Sequence, residues 1–311
     1  MNQKTIGVII PYYNGSHVID NCIASLTSCK EVDFNIFIVD NSTQDKENEY
    51  VLKFSNQCHI VSTKPGIGFG RACNLGYRAA IQKNCELIIL LNQDTVVDEH
   101  FIDAMLDAHL SYPDNIIIPI IFNYQFQKIE EHFVKHYLYS ADQYLTDLVL
   151  QKPLKDGYPI QEYSGACLGI PTDIITTESL FDPVFYMYGE DNDFNIRLQN
   201  QDRKSLLVPK ARIAHIHSVL NLPPRGKIQS ILSRCILDLK YKEGFAKKIQ
   251  TIVVFKLRLS LQIIKLLAKG KLKDIGNTFQ YIFVELKRIF KLRKLNLNQR
   301  MSYYLSRDLS K

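Results

Sequence analysis

One stretch constrains the fold more than any other: Glu86 to Thr95, ELIILLNQDT. Leu87 to Leu91 is an unbroken run of Leu and Ile. A short apolar run without polar alternation predicts a strand buried on both faces, as inside a parallel sheet. It stops abruptly at Asn92-Gln93-Asp94. A carboxylate therefore lies at the carboxyl end of a central strand, the edge where open α/β sheets bind ligands. Such an acid suits a divalent cation held against a diphosphate. The same residues also suit a plain turn capping the helix that starts near Glu99.

The segments around this strand repeat one alternation. Thr5 to Tyr13 reads as a first buried strand, ended by Pro11 and the Asn14-Gly15 turn, and Ser16 to Ser28 has helical spacing. Phe34 to Val39 is a second strand ending at Asp40, followed by a helix through Lys46 to Asn56 and a short strand His59 to Ser62. The glycine loop Gly66-Ile67-Gly68-Phe69-Gly70 then leads into a helix through Ala72 to Lys83. Strand and helix alternating in this way imply a parallel sheet of βαβ units. Asp40 and Asp94 would face one crevice if their strands were neighbours.

The glycine loop excludes two nucleotide-binding classes. Its third glycine comes one residue too early for the dinucleotide fingerprint, where Arg71 stands, and no Gly-Lys-Ser/Thr follows for a P-loop. It remains either a flexible helix cap or a place where backbone approaches a nucleotide, with Arg71 nearby for charge.

Ser111 to Gln161 has weak periodicity and resists assignment. Tyr163 to Pro171 is small and apolar, including Gly165 and Ala166, as where backbone passes close to a ligand or another chain. Phe181 to Leu198 moves from aromatic residues to Gly189 and three carboxylates, Glu190, Asp191 and Asp193. One acid is enough to complement a helix N-terminus; three beside an aromatic wall point to catalysis. His215 and His217, two residues apart, supply one candidate metal ligand between them.

Composition is that of a globular chain, with 46% hydrophobic and 23% charged residues. The seven cysteines are scattered and odd in number, which suits a reducing compartment and predicts a cytoplasmic location. The N-terminus lacks the pattern of a signal peptide, and no window offers the ~18 uncharged apolar residues of a membrane span. Charge is polarised: of 38 Lys/Arg and 32 Asp/Glu, 21 and 5 respectively lie from Arg225 onward. An acidic body (1–222) and a basic helical region (223–311) are expected as separate domains.

In the basic region Ile228, Ile231, Leu232, Cys235, Ile236 and Leu239 share a helical face. So do Phe279, Ile282, Phe283, Leu286, Ile289 and Phe290, with Lys287, Arg288, Lys291, Arg293 and Lys294 close by. Ile249 to Leu267 is apolar but broken by Lys256, Arg258 and Lys265. Two readings stand: helices packed on the body with a solvated basic side, or amphipathic helices on an anionic inner membrane face. No nucleic-acid-binding module accompanies the charge, so nucleic acid is not an expected partner.

Taken in order, these motifs resemble a family 2 glycosyltransferase of the GT-A fold, an α/β architecture with a Rossmann-like, mostly parallel central sheet flanked by helices. The matching residues are Ile10 to Asn14, Val39 to Ser42, Gly66 to Asn74, Leu91 to Asp94, Ser164 to Ala166, Tyr188 to Asp193, and His215. Subgroups making bacterial surface polysaccharides, rhamnosyl- and galactosyltransferases among them, look nearest. The resemblance implies a nucleotide-diphosphate sugar donor, contacted by Pro11, Tyr13, Asp40, Gly68, Arg71, Asn74, Asn92 and Gln93, with Asp40 reading the base. It implies Mg²⁺ or Mn²⁺ on Asp94 and His215, Asp191 as general base, and contacts from Gly165, Ala166 and Glu190 to the sugar or to a saccharide or lipid-linked acceptor. Asn92 stands where the family's D-x-D pattern has its first acid; it can hydrogen-bond ribose or phosphate but carries no charge. The processive enzymes' Q-x-x-R-W motif is absent, so addition of one sugar is expected, and the departure of a nucleoside diphosphate under direct displacement would invert the anomeric centre. A sugar-phosphate nucleotidylyltransferase and a catalytically silent nucleotide-sugar or membrane-binding module are the competing readings.

Overall fold

The computed structural model describes residues 5–177, 179–216, 224–292 and 299–300. The chain divides into two compact units, Met1–Leu180 with Phe194–Ser218, and Phe181–Asp193 with Val219–Lys311.

The first unit opens with the expected alternation: β1 (Ile6–Tyr12), α1 (Ile19–Ser28), β2 (Phe34–Asp40), α2 (Asp45–Val51), β3 (His59–Ser62), α3 (Phe69–Gln82) and β4 (Leu87–Leu91). Every residue of β1 and β4 is buried, as their unbroken apolar runs require. β5 (Thr95–Val97), α4 (Phe101–Ser111) and β6 (Ile116–Asn123) follow. Then come α5 (Glu131–His136), α6 (Asp142–Val149), β7 (Tyr158–Ile160), β8 (Cys167–Pro171), α7 (Glu190–Gln199) and β9 (Ser205–His215).

All these strands join one sheet in the order β3-β2-β1-β4-β8-β6-β9-β5, with β7 also on β9. β1, β2, β3 and β4 run parallel to their neighbours, and β8 then enters antiparallel between β4 and β6. Chain order therefore reverses at β1: β2 and β3 build outward on one side and β4 is added on the other. That reversal opens a crevice beyond the carboxyl ends of β1 and β4, the general ligand position of such sheets. Asp40 and Asp94 do not extend neighbouring strands, because β1 lies between β2 and β4.

The stretch without legible period contains β6, whose partner β9 is interrupted by a proline. β6 and β9 pair in parallel, but their register jumps from Pro119 opposite Val208 to Ile120 opposite Arg212. Pro209, Lys210 and Ala211 thus bulge from the ladder. Proline has no N–H to donate, so a bulge is where a sheet tolerates it.

α3 packs on β1 and β2 at Gly76, where a Cβ would collide with Ile9 and meet Val39 at 2.9 Å. The second unit contains α8 (Pro224–Tyr241), α9 (Phe245–Ala268) and α10 (Leu272–Leu292), with α9 packed on α8 and α10. Gly276 of α10 has nothing within 4 Å of a built Cβ. Urea denaturation is expected to separate these two glycines. Gly76→Val overfills a packed contact and loses about 2–3 kcal/mol. Gly276→Ala meets no obstacle and gains roughly 0.5–1 kcal/mol of helix propensity.

Candidate active site

The crevice at the sheet reversal is closed by side chains from both of its strands. Pro11 sits past the last residue of β1 that pairs with β4, Ile9, so its missing N–H costs that ladder nothing. The next residues turn toward the β4 end. The Gln93 side-chain amide accepts from the Tyr13 N–H (2.8 Å) and donates to the Tyr13 carbonyl (3.1 Å), substituting for a strand pairing. Gly15 allows this, because a Cβ there would overlap the Gln93 amide. The Asn92 N–H donates to the Ala166 carbonyl (2.9 Å), tying the turn to the residue before β8. Asn92 Oδ1 is buried and has no hydrogen-bond partner among the described residues. An orphaned acceptor of this kind is costly unless a ligand satisfies it.

Asp94 meets the end of β9. Thr95 pairs with His215, and the Ile216 N–H donates to the Asp94 carbonyl (2.9 Å). His215 Nε2 lies 3.3 Å from Asp94 Oδ1, and its Nδ1 lies 3.4 Å from Glu130 Oε1. Burial disfavours the imidazolium, but hydrogen bonds to Asp94 and Glu130 outweigh it and push the group up to about 9. A metal-binding imidazole commonly directs its second nitrogen at a carboxylate, which sets tautomer and orientation. His215 has that arrangement ready, with Glu130 as orienting acid and Asp94 as neighbouring donor. One carboxylate and one imidazole suit Mn²⁺ better than the oxygen-seeking Mg²⁺, and a bound cation would replace the proton now shared with Asp94. Glu130 was not singled out in the sequence; it precedes α5, in the stretch that had no legible period. His217 lies outside the described residues.

Beyond β2 a second set of bonds shapes the neighbouring loops. Asp40 is buried and accepts from the Ser42 N–H (3.0 Å) and Asn48 Nδ2 (2.7 Å). Asn41 accepts from the Gly66 N–H at its carbonyl (3.0 Å) and from the Ile67 N–H at its side chain (2.7 Å). The glycine loop is thereby fastened to the β2 end. Gly68, with φ 100°, caps α3 in a conformation that favours glycine. The helix starts at Phe69, three residues earlier than its apolar spacing predicts, which draws Arg71 into its first turn. Arg71 and Asn74 are buried there, and Arg71 Nη1 donates to the Ile67 carbonyl at 2.7 Å.

Glu47 is a further residue that the sequence reading missed. Its buried carboxylate accepts from the Tyr12 hydroxyl, the Ser16 hydroxyl (2.8 Å) and the Ser16 N–H (3.0 Å). Burial raises its pKa, but those hydrogen bonds prevail and hold it below the ordinary value. An ionised Glu47 thus anchors the start of the β1–α1 loop.

The remaining acids belong to the second unit as far as Asp193. Asp182 and Asp193 are almost wholly buried, and Lys240 of α8 reaches both, at 2.8 and 2.5 Å. Arg300 also pairs with Asp182, and the Tyr241 hydroxyl donates to Asp193 (2.8 Å). Ser233 of α8 donates to the Met187 carbonyl (3.0 Å). Both ends of the 182–193 segment are therefore held by α8. Gly189, at φ 83°, makes the turn into α7. Glu190 is buried, and burial, then the charges of Asp191 and Asp193, push its carboxyl up to about 8. Its Oε2 has no hydrogen-bond partner among the described residues. Asp191 is half-buried and accepts from the Asn192 N–H (2.8 Å) and Nδ2 (3.0 Å).

Comparison with known proteins agrees with these features. The glycosyl transferase family 2 model matches residues 7–175, just over half of the chain. The glycosyltransferase GlyG of Streptococcus pneumoniae is 24% identical over 286 residues, covering 90% of each chain. The N-acetylglucosaminyl-diphospho-decaprenol L-rhamnosyltransferase of Mycobacterium tuberculosis is 23% identical over 231 residues, 67% of this chain and 74% of the relative. Among solved structures, GalNAc-T7 with UDP, GalNAc and Mn²⁺ superposes with a TM-score of 0.56 at 15% identity, over 75% of this chain and 48% of that one. The last likeness carries the GT-A architecture alone. With a sheet reversed at β1, an acid beyond β4 and the family match across residues 7–175, the chain belongs to glycosyl transferase family 2.

Proposed function

We propose that the protein is an inverting, metal-assisted transferase that moves one sugar from a nucleotide-diphosphate sugar to a saccharide or lipid-linked saccharide hydroxyl. The setting would be bacterial surface polysaccharide synthesis, on the cytoplasmic side. The observation that carries this reading is the division of labour among the three acids at the start of α7. Asp193 is buried and neutralised by Lys240, and Glu190 is buried and raised to about 8. Asp191 alone is half-exposed, which is what a base that meets an incoming alcohol requires.

In the proposed reaction Asp191 takes the acceptor hydroxyl proton as that oxygen attacks the anomeric carbon. The sugar–phosphate bond breaks in the same displacement, so configuration inverts. The donor is held by Pro11, Tyr13, Asp40, Gly68, Arg71, Asn74, Asn92 and Gln93, and Asp40 reads the base. Asp94 and His215 would hold the divalent cation, which when bound supplies positive charge to the departing diphosphate oxygens. Glu190, protonated at neutral pH, is a hydrogen-bond donor for a sugar hydroxyl, and Gly165 and Ala166 leave room for sugar or acceptor. The relative that acts on N-acetylglucosaminyl-diphospho-decaprenol supports a lipid-linked acceptor.

The test is turnover of UDP-, dTDP- and GDP-sugars with Mn²⁺ present. Transfer or slow donor hydrolysis is expected; pyrophosphate release from a nucleoside triphosphate and sugar phosphate instead would establish a nucleotidylyltransferase. Asp191→Asn should lower kcat by about 10²–10⁴-fold and leave donor affinity unchanged; wild-type turnover in that variant would remove Asp191 from the base role.

Glu190 sets a pH dependence. Its folded pKa is raised from 4.5 to about 8, so between those values the folded chain holds a proton that the unfolded chain has lost. Stability contributed by this group therefore falls as pH rises through that window. Glu190→Gln removes the dependence, and the variant should gain on the wild type by roughly 1 kcal/mol per pH unit across it, read by urea denaturation at several pH values.

Lys240→Met strands two buried carboxylates beside their remaining partners. A loss of about 3 kcal/mol is expected, with kcat reduced more than donor affinity.

A further inference from the structure

α9 has two apolar sides, and only one of them is packed. Thr251 and Leu266 are buried, with Phe255, Leu259 and Gln262 half-buried along the same side. Ile249, Val253, Leu257, Leu261, Ile264 and Leu267 recur at spacings of four and three. At 3.6 residues per turn they fall within an arc of about 120° on another side of the helix. All six are exposed, Leu257 by 60% and Ile264 by 59%. A solvated helix face ordinarily carries polar residues throughout, whereas here six apolar side chains share the arc with only Gln250 and Ser260, so a stripe of this size marks an interaction surface.

The charges around the stripe identify its partner. Exposed Lys256 borders one edge of the arc, and exposed Lys247, Arg258 and Lys265 border the other. Residues 245–271 contain seven Lys or Arg and no Asp or Glu. An apolar stripe flanked on both edges by cations fits a surface that is apolar inside and anionic at its rim. A second copy of this chain would bring two such cationic rims together, which like charge opposes. Nucleic acid would answer the charge and leave the stripe wet. No helix among the described residues is long and apolar enough to cross a membrane. Lys256, Arg258 and Lys265 also interrupt α9 itself, so the helix suits lying in an interface rather than spanning one.

We infer that α9 is the membrane-docking element of this protein, with its Ile249–Leu267 stripe entering an anionic phospholipid leaflet and its flanking cations on the headgroups. α10 adds exposed Phe279 and Phe283, with Lys287 Nζ 4.2 Å from the Phe283 ring centre. Both aromatics share one apolar face with Ile282, which is buried while Phe279, Phe283 and Leu286 are exposed. Arg293 and Lys294 lie outside the described residues.

The test is flotation of the full chain with vesicles of phosphatidylcholine alone, or of phosphatidylcholine and phosphatidylglycerol in equal parts, with no donor or acceptor present. Its outcome is therefore independent of the transferase reading. The chain should float with the anionic vesicles, and much less with neutral ones or at high salt. The combined change Leu257→Gln, Leu261→Gln and Ile264→Gln should reduce the bound fraction by about tenfold or more while helical circular dichroism is retained. Lys256→Glu with Arg258→Glu, at solvated positions that do not test folding, should do the same on anionic vesicles only. Failure to float with either vesicle, or equal binding to both, overturns the inference. So does a vesicle-free dimer that the triple change converts to monomer, since a second copy would then own the stripe.

Discussion

The structure depends on one constraint: β1 must be buried between β2 and β4, so the chain builds the sheet outward from it in both directions. Hydrophobic burial enforces this, because β1 and β4 have no polar position to offer solvent. The reversal leaves the carboxyl ends of two adjacent parallel strands without a crossing connection above them. Polar residues gather there because backbone that leaves a sheet must find new hydrogen-bond partners. The Gln93–Tyr13 pairing meets that requirement between the two strand ends, and Asn92 to Ala166 extends it to the first antiparallel neighbour.

Around that edge, environment rather than residue type separates the acids. Glu47 collects hydrogen bonds from Tyr12 and Ser16 and serves as an anchor. Asp40 organises the loop that follows its own strand. Asp94 and Glu130 share one imidazole between them. In the second unit Asp182 and Asp193 share one lysine, while Glu190 has burial and two acidic neighbours and no cation among the described residues. Carboxyl groups close together in sequence thus meet different environments, and environment is what separates the duties of one side-chain chemistry.

The legible parts of the fold were those where local pattern and tertiary demand agree. β1, β2, β3, β4 and the helices between them follow from runs and periods that burial alone accounts for. β6 lay in a stretch without legible period, and β9 contains Pro209, which argues against a strand until a bulge accommodates it. The start of α3 was placed late because Phe69 and Gly70 continue a glycine loop in sequence, whereas Gly68 is where the backbone turns. In the site, Asp40 and Asp94 were legible as strand-end acids but not as lying either side of β1. Glu47, Glu130 and Lys240 were illegible, because their importance comes from partners far away in the chain and no local spacing marks such a contact.

Sequence by itself determined the βαβ alternation, the acid beyond β4, the acidic start of α7 and the basic, helical character of the C-terminal region. Each of these is written in neighbouring residues, through hydrophobic period or charge. Tertiary structure alone decided which histidine nitrogen faces which carboxylate, which of Glu190, Asp191 and Asp193 is neutralised, and which side of α9 is left uncovered. Those properties depend on desolvation and on distances between residues many positions apart, and neither is defined until the chain has packed.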